Sequence, residues 1–124
     1  MPRVFYRLAK NNPPTTQDVL SQAALRKPQP RMDADFLRKW EGLSVFDSLA
    51  DVQRLGQQRR WRIGEYIATL LIPDDAPITY GEPEFEGSSH WLLYDEHGRM
   101  LDEDDAPYLL RCVTDVIHGP SSVR

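Results

Sequence analysis

The chain has a single cysteine, only three histidines, and no apolar run near the roughly 18 residues that a membrane-spanning helix requires. Cys112 alone closes no internal disulfide, and one thiol with three scattered histidines does not make the spacing of a zinc site. Also missing are a glycine-rich phosphate loop, a serine in a nucleophile elbow and a His-Glu-x-x-His helix, so most enzyme classes defined by motif are left without support. The first residues, Met1 to Arg7, lack the long apolar core of a secretory signal, which places the chain in the cytoplasm as an expectation. Basic charge is in short supply too. Fifteen Lys plus Arg against nineteen Asp plus Glu give a net charge of −4, so no global basic field draws the protein to phosphate backbones, and nucleic acid is disfavoured as a partner.

What is present is one domain's worth of chain, 124 residues, read as a single unit over 1–120 with a frayed polar tail at 121–124. Val4 to Leu8 is a β-prone run stopped by Pro13 and Pro14, which predicts a first strand over 3–9. Thr15 to Asp18 has the pattern of a helix cap, followed by apolar residues at helical spacing through Leu25, and predicts two to three helical turns. A second short helix includes Trp40 and ends at Gly42. Leu43 to Phe46 alternates as a strand, and Asp47-Ser48 opens a third helix through about Gln57. The run from Arg62 to Ile72, rich in β-branched and aromatic residues, reads as a central strand. Further strands are expected at Ile78 to Tyr80, His90 to Tyr94 and Arg111 to His118, with a hairpin-type turn at Glu96 to Arg99 leading into Met100-Leu101 and a helical turn at Ala106 to Leu110. The class is α+β, with a small mixed or antiparallel sheet and two to three short helices.

Several polar residues sit inside these β-prone runs. Arg7, between Tyr6 and Leu8, offers a rigid fork that binds phosphate or carboxylate at two points, or pairs with an acid at a strand edge. Ser44 can orient a ligand or another side chain, or simply satisfy nearby backbone. His90 can serve as a general acid or base near neutral pH, or pack as an ordinary core histidine. Glu82, Glu84 and Glu86 alternate, so an extended loop would put all three on one side, where a carboxylate could stabilise developing positive charge; otherwise they are a solvated loop. Arg59-Arg60-Trp61-Arg62 can bind a nucleic-acid strand or an acidic partner, or form a solvated helix end. Cys112, flanked by apolar residues, reads as a small hydrophobe and not as a nucleophile.

Tyr6-Arg7, Asn12 to Thr15, Gly42 to Phe46, Tyr66 to Ala68 and His90-Trp91 together resemble a family of small uncharacterised bacterial proteins over most of the chain. More distantly, an arginine on the first strand, a serine-bearing strand and a late glutamate resemble the ADP-ribosyltransferase fold of the Arg-Ser-Glu type, used also by toxins of toxin–antitoxin pairs. That resemblance implies NAD as substrate, with Arg7 on its phosphates, Ser44 orienting a catalytic carboxylate, and Glu82 or a neighbour on the ribose hydroxyl, assisted or replaced by His90. Tyr6, Phe46 or Tyr80 would then stack on the nicotinamide. An antitoxin or other protein partner is implied with it. The rival expectation is a noncatalytic protein–protein interaction module anchored by Trp40, Trp61 or Trp91.

Overall fold

A computed structural model describes residues 2–25, 34–81 and 88–123. Glu82, Glu84 and Glu86 lie outside these described residues. Among them, six strands form one antiparallel sheet: β1 (Arg3–Ala9), β2 (Leu43–Phe46), β3 (Tyr66–Ile72), β4 (Ile78–Gly81), β5 (His90–Asp95) and β6 (Val113–His118), in the spatial order β4-β5-β2-β1-β3-β6. Four short helices accompany it: α1 (Ala34–Glu41), α2 (Leu49–Gln58), α3 (Ala106–Arg111) and α4 (Gly119–Ser122). None of the helices is long and apolar enough to cross a membrane.

Alternation along the strands sorts side chains onto two faces. Phe5, Leu43, Val45, Leu70, Ile72 and Leu93 point to one, where the 3-10 turn Thr16–Val19 and α3 cover them with Val19, Leu20 and Leu109. On the other face a smaller cluster of Leu8, Val52 and Ile67 is completed by Tyr6, Phe46, Leu55 and Trp61, so α2 packs there. Ser48 caps α2 by accepting from the Asp51 N–H at 3.2 Å, as its sequence signature predicts.

Two expected elements take other forms. The helix expected to run on from Thr15 is broken into the 3-10 turn Thr16–Val19 and a separate turn closed by the Leu25 N–H on the Ser21 carbonyl, because carbonyls that would carry it forward between them are used elsewhere. Arg7 Nε donates to the Asp18 carbonyl at 2.6 Å and Arg7 Nη2 to the Leu20 carbonyl at 3.4 Å. Gly119–Ser122, overlapping the expected frayed tail, instead turns as α4, where the Ser122 hydroxyl donates to the Gly119 carbonyl at 2.6 Å and accepts from the Gln53 amide of α2 at 3.2 Å.

The central strands meet unevenly. β1 pairs with β3 along its full length, from Arg3 opposite Ile72 to Ala9 opposite Tyr66, yet with β2 only at Tyr6 opposite Phe46. Beyond that pair the ladder is open, and the Arg7 side chain takes its place: Nη1 donates to the Ser44 carbonyl at 2.6 Å.

Candidate functional site

Strand β1 sets Arg7 at the opening between β1 and β2, and three backbone carbonyls fix its guanidinium there. Of its five N–H donors, three are engaged by carbonyls of the described residues. No carboxylate forms an ion pair with it among the described residues. The nearest acid, Asp18, spends its oxygens on the backbone N–H groups of Lys10 and Thr15, both at 2.8 Å, and on the side chains of Asn11 and Thr15. Burial pulls the Arg7 guanidinium down from its ordinary value to about 10, with the charge on Asp18 opposing that shift. The group is therefore a desolvated cation held by dipoles.

Arg7 lines a cavity of about 220 Å³ together with Ser44, Phe46, Trp40, Gly42 and Gln22. A neighbouring cavity of about 510 Å³ shares Arg7, Leu8, Gln22 and Ile63 with it, so the two are parts of one depression. Ser44 sits on β2, and β5 runs beside it with Ser44 opposite Leu92 and Phe46 opposite His90. That register brings the His90 ring across to Ser44, where Oγ and Nε2 are hydrogen-bonded, and lays it on the Phe46 ring at 5.0 Å between centroids and 26° between planes. Hydroxyl and aromatic ring thus hold the imidazole from two sides.

Of the residues singled out from sequence, Arg7, Ser44 and Phe46 line one cavity, and His90 is joined to it through Ser44 and Phe46. Tyr6 lies in the same cross-strand row as Phe46 and packs into the Leu8 cluster beside the cavity. Tyr80 does not join them. It packs at the far face against Phe5 at 5.5 Å and Trp91 at 6.4 Å, beneath the Arg3 guanidinium. Cys112 is buried in the main core, and burial pushes its thiol up, which suits a packing role. Gln22 and Ile63 complete the walls without having been singled out from sequence, together with Trp40, which was expected as an interface anchor. Trp40, two residues before Gly42, carried a signal as an aromatic; Gln22 and Ile63 carried none.

Comparison of the chain with known protein families, with curated proteins and with solved structures yields no match.

Proposed function

We propose that the depression at Arg7 binds NAD and that the protein is an ADP-ribosyltransferase-like enzyme or NAD glycohydrolase. The observation that supports this most is the Arg7 guanidinium itself: desolvated, without a carboxylate in ion-pair contact among the described residues, and lining the same cavity as Ser44. Such a cation gains most from a ligand anion, and its fork suits a diphosphate. Phe46 and Trp40 supply apolar walls for a nicotinamide ring, and the Ser44–His90 pair supplies an oriented polar group toward the ribose.

In this reading the protein works by electrostatic stabilisation of the breaking glycosidic bond. Arg7 holds the diphosphate, nicotinamide leaves with the bonding electron pair, and water or an acceptor nucleophile bonds to the anomeric carbon and gives up its proton to solvent. The developing positive charge on the ribose is met by a carboxylate from Glu82, Glu84 or Glu86, with His90, positioned by Ser44, hydrogen-bonded to the ribose hydroxyl. Expressed alone as a toxin of a toxin–antitoxin pair, the enzyme would deplete cellular NAD.

Product analysis tests the chemistry. Incubation with NAD should release free nicotinamide, and Ser44→Ala or His90→Ala should slow release by about 10²-fold or more, the scale of a lost acid–base group. Single glutamine replacements of Glu82, Glu84 and Glu86 should identify one that lowers turnover while leaving binding intact. If none of the three does, the carboxylate step is wrong. NAD recovered intact after binding would reduce the proposal to a nucleotide-binding protein.

The interaction-module reading has less to stand on, because its anchors Trp61 and Trp91 are engaged in the fold. Trp61 packs in the α2 face cluster, and Trp91 lies under Arg3 at 4.6 Å and donates its indole N–H to Asp47 at 3.0 Å.

A further inference from the structure

Helix α2 ends at a basic corner. Arg59 closes its last turn by donating its backbone N–H to the Leu55 carbonyl at 3.0 Å, after which Arg60 and Trp61 both adopt left-handed conformations, with φ of 53° and 60°. Two successive non-glycine residues in that region are costly and persist only where the surroundings hold them. Here the holding element is the Trp61 ring, pressed so closely on Gly56 and Gly119 that a Cβ at either glycine would lie 2.2 Å from it. The bend turns Arg59, Arg60 and Arg62 outward around one cavity of about 410 Å³, which they line with Gln58 and Ile63. All three arginines are exposed. Among the described residues none of the three guanidinium groups has a carboxylate partner. Three like charges gathered on a strained and braced turn, in a chain of net charge −4, favour a polyanionic ligand.

The corner also continues into the depression already described. Arg62 and Ile63 line both the 410 Å³ cavity and the 510 Å³ one, where Lys10 and Arg7 follow, and Ile63 and Arg7 lead on to the walls made by Trp40 and Phe46. The Asp18 carboxylate lines the same stretch but is turned to the Lys10 and Thr15 N–H groups, and cations in series along a groove that ends on aromatic side chains are the arrangement by which single-stranded nucleic acid is held, phosphates on the charges and bases against the rings. An acidic peptide would use the charges but has no need of the aromatic end.

We infer that the groove from Arg59, Arg60 and Arg62 toward Arg7 binds a single-stranded oligonucleotide through its phosphates. The global charge still provides no long-range attraction, so the binding is local and short-ranged. This inference goes beyond the NAD reading and is tested without NAD.

The test is fluorescence anisotropy of a labelled single-stranded oligonucleotide of about 12 nucleotides, inside the usual site sizes of roughly 4–16. Wild-type protein should bind it at low salt. The variant Arg59→Gln/Arg60→Asn/Arg62→Gln, with asparagine chosen because it tolerates the left-handed backbone, should bind at least tenfold more weakly. Its dependence of log affinity on log salt should be shallower by about 2, from three phosphates at about 0.7 each. A control removing equal charge from exposed arginines elsewhere, Arg54→Gln/Arg99→Gln/Arg111→Gln, should change affinity less than twofold. Should the triple corner variant fail to fold, Arg59→Gln and Arg62→Gln are measured singly, each expected to reduce the salt slope by about 0.7. No binding by wild type, unchanged binding by the corner variants, or an equal loss in the control would overturn the inference. So would tighter binding of a polyglutamate peptide of equal length, which would assign the corner to an acidic protein.

Discussion

A guanidinium that donates to the carbonyls of Asp18, Ser44 and Leu20 ties two segments of chain to the open end of a strand pair, and the carboxylate beside it is tied down just as firmly. Burial raises the Asp18 carboxyl, but hydrogen bonds from the Thr15 and Lys10 backbone and from the Asn11 and Thr15 side chains outweigh it, and the net shift is below the ordinary 3.8. A carboxyl depressed in the folded state binds fewer protons there than in the unfolded chain. Its contribution to stability is therefore whole above about pH 4 and is lost as pH falls through the folded value. Denaturant titrations between pH 2 and 6 should show stability falling at the acid end, and Asp18→Asn should flatten that fall while lowering stability at neutral pH by about 1–3 kcal/mol. Trp61 supports a second prediction at this scale. Gly56→Ala or Gly119→Ala drives a methyl group into its ring, which should cost about 1–3 kcal/mol in unfolding experiments. The double variant should cost less than the sum of the two, since both press on one side chain that moves only once.

At the scale of elements, the sheet was legible wherever its residues face a core on one or both sides. The strand bounds 3–9 and 43–46 read from alternation agree with β1 and β2, and the run ending at Ile72 is an interior strand, although it begins at Tyr66. Helix α2 was legible from its cap. The segment after Thr15 was not, because its periodicity favours a helix while a side chain eleven residues upstream claims its carbonyls. The turn after Asp95 forms as expected, with Gly98 at φ 75°, but Met100 and Leu101 do not return as a strand; Leu101 is buried in the main core. Helix α4 offered only four residues and no period to read. The Ser44–His90 pair was out of reach for another reason, since it depends on the register between β2 and β5, which no local pattern specifies. The open β1–β2 junction gives this scale its own prediction. Arg7→Met keeps the bulk but leaves three carbonyls without their donor, so it should destabilise the protein by on the order of 3 kcal/mol. Amide exchange near Ser44 and Leu20 should accelerate more than exchange in the fully paired β1–β3 ladder.

Over the whole molecule, one sheet separates a large core from a smaller one, and the cation that bridges the gap in that sheet also faces a cavity. Structure and ligand binding are thus asked of the same side chain, so the variant that reports on binding has to preserve charge and fold. Arg7→Lys keeps the cation and loses the fork. The most direct measurement is a calorimetric titration with NAD of the wild-type protein and of Arg7→Lys, each first shown to unfold cooperatively. The account predicts a single site in the wild type with a Kd of about 1 mM or tighter, weakened at least tenfold by Arg7→Lys. Absence of binding heat from folded wild-type protein, or equal affinity in the two proteins, would contradict it.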